Sequence, residues 1–278
     1  MEVLKGLPVA NAINERILEE MKDEKGRVPN LAIIRVGERP DDCAYERGAC
    51  KKMEKLGFDC NVYAYPLDIS NDEFQKEFDK INDDPNVDGI LLLRPLPKTL
   101  DEEAVVNRIN PIKDLDGISP INMAKVYAGD ETGHAPCTAE AVIEMLDFAN
   151  VDLKGKRVTV IGRSLVIGKP VSMLLMKKNA TVTVCHTKTV DMPSVARNAE
   201  IIVAAAGVAR MVNGNFVSDD AIVIDVGINV DAEGNLCGDC DFDSVSEKAS
   251  IVTPVPGGVG SVTTSVLAKH LLKAYKNR

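Results

Sequence analysis

Short aliphatic runs alternate with amphipathic stretches along the chain, and this alternation predicts its elements. Leu31–Val36 is an apolar run ending at Gly37, the pattern of a buried strand. Asp41 and Asp42 can open a helix to about Leu56, which Gly57 would stop. Asn61–Tyr65 predicts a second strand. Ser70-Asn-Asp-Glu73 has capping-box form and predicts a helix to about Ile81. Gly89–Leu93 is wholly aliphatic, as expected of a strand buried on both faces, and the prolines of Arg94-Pro95-Leu96-Pro97 end its ladder. A helix follows over about Glu102–Ile109. Asn110–Gly133 is less regular and is read as a bridge between domains.

Thr138 can cap a helix over Ala139–Phe148, and a second series then begins. Strands are expected at Arg157–Ile161, Thr181–Cys185, Ile201–Ala205 and Ala221–Val226. Helices are expected near Pro170–Lys178 and Ser194–Arg197, with little helical pattern between the last two strands. The final helix is expected at about Val262–Tyr275. Repeated strand–helix–strand units predict an α/β protein: two α/β domains with parallel sheets, and a ligand cleft between them. No repeat of fixed period and no low-complexity segment interrupts this plan.

The 278 residues carry 45% hydrophobic and 27% charged side chains, ordinary globular composition. A net charge of −9 without a basic stripe argues against nucleic acid and anionic membranes as partners. No window approaches the apolar length of a membrane span, and Met1–Leu7 has no signal-type run. Seven cysteines are present, with only Cys237-Gly-Asp-Cys240 in C-x-x-C form, and the three histidines are scattered. The reading is reduced thiols in a cytoplasmic protein, without a metal site.

Candidate chemistry concentrates after the strand at Arg157–Ile161. Gly162-Arg163-Ser164 is followed by Gly168-Lys-Pro170 at the start of a helix. Glycines permit close backbone approach, and a helix N-terminus offers free amides, which is what a dinucleotide pyrophosphate needs. The form is G-x-S-x-x-x-G, so a plain structural turn stays open as an alternative. The next strand ends in Cys185-His186-Thr187-Lys188-Thr189, without the carboxylate that commonly holds a ribose 2′-hydroxyl. Arg163, Thr187 and Lys188 could instead hold a 2′-phosphate, which favours NADP and leaves NAD possible. Lys188 as a solvated charge and His186 as a packed turn residue remain the plainer readings.

Further motifs complete the set: Val36-Gly37 with Tyr45; Asp88-Gly-Ile-Leu91 with Pro95-Leu-Pro97; Pro111-Ile-Lys-Asp-Leu-Asp116-Gly117; Pro136-Cys-Thr138; Asp225-Val-Gly-Ile228; and Thr253-Pro254-Val-Pro-Gly257-Gly258-Val-Gly260. In this order, across the whole chain, they resemble the methylenetetrahydrofolate dehydrogenase/methenyltetrahydrofolate cyclohydrolase family. The resemblance implies a folate domain over 1–120, joined by the C-terminal helix 262–278, and an NAD(P)-binding Rossmann-type domain over 136–260. It implies a tetrahydrofolate derivative as substrate, a homodimer, and hydride transfer from the folate methylene carbon to NAD(P). Tyr45 matches the tyrosine that stacks on the folate, and Asp116 the aspartate that anchors the pterin. Pro254, Gly257 and Gly258 match the loop bordering folate and nicotinamide, and Ile228 falls with the cofactor residues Gly162, Arg163, Ser164 and Gly168.

Two positions depart from the family pattern. Its Tyr-x-x-x-Lys motif has Ala49 at the lysine, and its strand-end glutamine is Leu93. Ring hydrolysis needs a group that handles protons, whereas the hydride itself does not. The expectation is therefore a dehydrogenase without cyclohydrolase activity. The alternatives are a bifunctional enzyme with a substitute base, for which Lys52, Arg47 and Arg94 are candidates, and a non-catalytic folate or nucleotide binder. A hydroxy-acid dehydrogenase is disfavoured, because no histidine–carboxylate motif is present.

Overall fold

The computed structural model describes residues 1–277. In chain order the elements are β1 (Glu2–Val3), α1 (Gly6–Met21), β2 (Asn30–Val36), α2 (Pro40–Leu56), β3 (Asp59–Tyr65), α3 (Asn71–Asp83), β4 (Gly89–Leu92), α4 (Glu102–Arg108), α5 (Pro120–Ala128) and α6 (Cys137–Phe148). There follow β5 (Arg157–Ile161), α7 (Gly168–Lys177), β6 (Thr181–Cys185), α8 (Met192–Ala196), β7 (Ile201–Ala204), β8 (Ile222–Asp225), β9 (Asn229–Val230), β10 (Leu236–Cys237), α9 (Phe242–Ser246), β11 (Ile251–Val252) and α10 (Thr263–Lys276).

Local signals explain most boundaries. Ser70 caps α3 by accepting the Glu73 amide at 3.3 Å. Gly57 ends α2 in the left-handed region at φ 72°, which only glycine adopts without strain. Two starts differ from expectation. Pro40 at the first helical position opens α2 without a side-chain cap, so Asp41 and Asp42 lie within its first turn, where they oppose the helix dipole's positive end. α6 already begins at Cys137, which places Thr138 inside the helix rather than at its cap. The bridge expected over Asn110–Gly133 contains α5, capped by Ser119. α1 has no counterpart among the expected elements; its first turn carries no acidic residue.

The chain forms two compact units. One comprises Met1–Asn11 and Thr138–Thr263; the other comprises Ala12–Cys137 and the chain from Thr264. The first eleven residues thus part from the expected 1–120 domain, because Glu2 and Val3 pair in parallel with Ile251 and Val252. In the first unit a six-stranded sheet runs β1-β11-β8-β7-β5-β6, all of its pairs parallel. The chain leaves β5 for β6 on one side and returns to β7 on the other, creating a switch point at their carboxyl ends. In the second unit a parallel sheet runs β3-β2-β4, and the same reversal places a switch point at the ends of β2 and β4.

Each unit has its own core. Phe74 and Phe78 of α3 are fully buried against Ile34, Ile90 and Leu92. Ile161, Ile202, Val223 and Val245 are buried together in the other unit. Strands β4 and β7 are buried at every residue, the physical reason for their unbroken aliphatic runs.

Candidate active site

Tyr45 stands in the second turn of α2, half-buried, on the helix that follows the carboxyl end of β2. Arg35 of β2 fixes this helix to the sheet: its Nε donates to Glu46 at 2.6 Å, with both side chains largely shielded from water. Beside β4, the segment Lys113–Leu115 adds a short parallel bridge, Ile90 to Asp114. Asp114 is buried and accepts the amides of Ile118 (3.0 Å) and Ser119 (2.8 Å) and the Asn122 side chain (2.9 Å). These bonds fix the turn that presents Asp116. Gly117 follows at φ 59°, and a Cβ there would stand 2.4 Å from the His134 carbonyl oxygen.

Asp116 accepts the Cys137 amide at 2.8 Å. Burial pushes its carboxyl above the usual range, and the bonds from Cys137 only partly oppose this. Around it lies a buried cluster that sequence reasoning did not assemble. His270 Nδ1 lies 2.7 Å from the Leu115 carbonyl and 3.8 Å from Cys137 Sγ, and the rings of His270 and His134 are 4.9 Å apart. His270 lies at least 133 residues along the chain from the other three, so no local pattern announces the cluster.

Ala49 and Leu93, at the family lysine and glutamine positions, are both buried and apolar. Arg94, considered as a substitute, is engaged by Glu102 at 2.7 Å. Arg47 is exposed on α2. Lys52 is half-buried; its Nζ donates to Ser265 Oγ at 2.8 Å, with Asn14 Oδ1 at 3.4 Å. Burial, and secondarily Lys55, lowers its pKa, making a neutral amine more accessible than for an ordinary lysine.

In the other unit, β5 runs into Gly162 at φ 127°, and Gly162 N donates to the Cys185 carbonyl at 2.9 Å. A Cβ at Gly162 would stand 2.1 Å from Ala205 O, and one at Gly168 would stand 2.3 Å from Gly162 O. Both glycines are therefore required by close backbone approach. Ser164 Oγ accepts the amides of Ile167 (3.1 Å) and Gly168 (3.4 Å), which explains the serine in G-x-S. Arg163 and Ser164 are exposed, and α7 has its N-terminus at this loop. The arrangement suits a dinucleotide pyrophosphate by the chemistry of amide donors at the sheet's switch point.

After β6, His186 Nδ1 accepts the Lys188 amide at 3.1 Å, and the His186 amide donates to Thr189 Oγ1 at 2.9 Å. His186 is thus a turn residue, and the turn leaves Thr187 and Lys188 exposed. Ile228 is exposed just past β8, and the Cβ position of Gly260 lies 3.6 Å from its Cδ1. The loop through Pro254, Gly257 and Gly258 is tied to the chain's start, where the Gly6 amide donates to Gly257 O at 2.8 Å.

Two carboxylates organise the loops beyond β7 and β8. Asp225 accepts the amides of Gly227, Asp239 and Cys240 at 2.9–3.0 Å, and burial pushes its pKa up. Asp239, fully buried, accepts the amides of Ala206, Gly207 (2.9 Å) and Val208 (2.9 Å) and the Asn229 side chain (2.9 Å). Asp239 lies within the C-x-x-C segment, whose cysteines drew attention instead. Among the described residues no group of three or more His, Cys, Asp or Glu is placed to hold a metal. Asp239→Ala would remove the acceptor of three backbone amides and leave the Asn229 side chain without it. It is expected to cost about 3 kcal/mol in denaturant unfolding and to raise the KM for the cofactor more than that for folate.

A profile of the tetrahydrofolate dehydrogenase/cyclohydrolase catalytic domain matches residues 4–116, and one of the family's NAD(P)-binding domain matches residues 136–278. The chain is 53% identical over 277 residues to the bifunctional protein FolD of Clostridioides difficile, covering 99% of this chain and 96% of that one. It is 53% identical over 276 residues to the bifunctional protein FolD of Alkaliphilus oremlandii, covering 99% and 97%. The bifunctional enzyme FolD structure from Campylobacter jejuni superimposes with a TM-score of 0.96 at 37% identity, covering 100% of this chain and 99% of that one. A Trypanosoma brucei methylenetetrahydrofolate dehydrogenase-cyclohydrolase, solved with NADP cofactor and inhibitor, gives 0.92 at 36% identity, covering 99% and 97%. The chain therefore belongs to the tetrahydrofolate dehydrogenase/cyclohydrolase family, with both its catalytic and its NAD(P)-binding domain.

Proposed function

We propose that this protein oxidises 5,10-methylenetetrahydrofolate to 5,10-methenyltetrahydrofolate with NADP, and that it also hydrolyses the methenyl product. The observation that carries the dehydrogenase reading is the cradle of Gly162, Ser164 and Gly168 at the switch point of a parallel sheet. When bound, the nicotinamide supplies the hydride acceptor. The chain's own residues do the rest. Tyr45 offers a ring face for the folate, the Asp116 carboxylate accepts pterin N–H groups, and the loop from Pro254 to Gly258 matches the family loop that borders folate and nicotinamide. NADP is supported by the exposed Arg163, Thr187 and Lys188 and by the lack of a carboxylate at the end of β6. The Trypanosoma brucei relative solved with NADP points the same way. The homodimer implied by family resemblance and the cytoplasmic location read from the reduced cysteines belong to the same proposal. With the folate substrate present, nicotinamide absorbance should rise with NADP faster than with NAD. No reduction with either cofactor would leave a non-catalytic binder.

The cyclohydrolase half is supported by relatives near 50% identity that bear bifunctional names. It favours the bifunctional alternative over the expectation drawn from Ala49 and Leu93. Lys52 is the substitute base in this reading, since its half-buried amine has its pKa lowered and is held by Ser265. The second reading, hydride transfer only, is favoured by the buried apolar pair Ala49 and Leu93. Purified protein should convert methenyl- to formyl-tetrahydrofolate above the spontaneous rate. Lys52→Met should lower that rate at least about 100-fold while sparing the dehydrogenase, the range for losing a general acid–base group. A wild-type rate equal to the spontaneous one would favour hydride transfer only.

A further inference from the structure

Two cysteines meet on the flank of the folate-side unit. Cys50 lies on α2 and Cys60 in β3. Gly57 turns the chain between them, and Phe58 N donates back to the Met53 carbonyl at 2.9 Å, so β3 returns alongside the helix that precedes it. This brings the two sulfurs to 3.1 Å, about an ångström more than a disulfide bond of roughly 2.05 Å. Both residues are half-buried, and β3 is the outer strand of its sheet, so a small molecule can reach the pair. Four of the other cysteines, Cys137, Cys185, Cys237 and Cys240, are buried; Cys43 lies two turns earlier on α2.

We propose that Cys50 and Cys60 form a redox-active dithiol that exchanges with low-molecular-weight disulfides of the glutathione type, closing a bond between α2 and β3. The Cys50 thiolate attacks one sulfur of the small disulfide, whose S–S bond breaks to release one small thiolate. Cys60 then gives its proton to solvent and attacks Cys50 Sγ, and the second small thiolate leaves. Two electrons pass from the protein dithiol to the small disulfide, which ends as two thiols. Burial, and secondarily the neighbouring sulfur, pushes the Cys60 thiol up, which suits it to the second step rather than the first. The closed loop restrains the unfolded chain and ties the helix that carries Tyr45 to the sheet.

The test uses the full chain incubated with oxidised glutathione, then alkylated and mapped by mass spectrometry. The expected product has lost two hydrogens, links the peptides of Cys50 and Cys60, is reversed by dithiothreitol, and melts about 5 °C higher than the reduced protein. Cys60→Ser should trap a stable glutathione adduct on Cys50, and Cys43→Ser should leave the link intact. Wild-type protein that gathers adducts without a link, or that links through Cys43, would overturn the proposal.

Discussion

Gly162→Ala is expected to lower kcat/KM for NADP at least about 100-fold, the loss that a displacement of roughly 1 Å at a reacting site can produce. The added Cβ would stand 2.1 Å from the Ala205 carbonyl oxygen, a distance that real side chains do not tolerate. Backbone, not a flexible side chain, is the obstacle, so either the β5–α7 loop or the segment after β7 must shift. The φ of 127° adds strain for any residue with a Cβ. Ser164 depends on this loop to hold the amides of Ile167 and Gly168, so the whole cradle moves with it. Steady-state kinetics against each substrate check the result. The KM for NADP should carry most of the loss, while folate binding by the other unit, followed by calorimetry, should change little. An unaltered KM for NADP would remove the cradle from the cofactor site.

Asp116→Ala should cost kcat/KM for the folate substrate about 100-fold, or roughly 2.7 kcal/mol of transition-state stabilisation. The carboxylate is the pterin's proposed acceptor, and it also accepts the Cys137 amide at 2.8 Å. Asp116→Asn separates these roles, since an amide oxygen can keep the Cys137 bond while the charge is lost. The pH dependence has a definite sign. Burial raises the folded pKa, so the carboxylate takes up its proton at higher pH than an ordinary aspartate as pH falls. The KM for folate should therefore climb on the acid side within a range set by that raised value. Asp116→Asn should flatten this limb, and the KM for NADP should lack it. A folate KM that stays constant on the acid side in the wild type would separate Asp116 from pterin binding. The same shift works against stability: the native state holds this proton more tightly than the unfolded chain, so the residue's contribution falls as pH rises through the range.

Much of the fold is legible because its causes are local. β4 and β7 are buried on both faces, so their residues must all be apolar, and Gly89–Leu92 and Ile201–Ala204 announce themselves as strands. Ser70 and Gly57 mark helix ends because a side-chain oxygen and a left-handed φ are needed at those positions. The cofactor cradle is legible for the same reason, since its two glycines and its serine lie within seven residues. Family resemblance added Tyr45 and Asp116, whose roles no local pattern specifies.

What the sequence by itself determined is thus the parallel α/β plan, the cradle after β5, and the departures at Ala49 and Leu93. The first two follow from residues that are neighbours along the chain, and the departures show against the family pattern. Tertiary structure decided the rest. It set β1 beside β11, so the first residues belong with the cofactor-side unit. It made Asp239 the keystone of the loop after β7 and turned Lys52 toward Asn14 and Ser265. It also placed His270 against Leu115 and brought Cys50 to Cys60. In each case the deciding contact joins different elements. Only the packed backbone fixes the distance between such groups, and that distance settles whether a buried carboxylate, amine or thiol serves structure or chemistry.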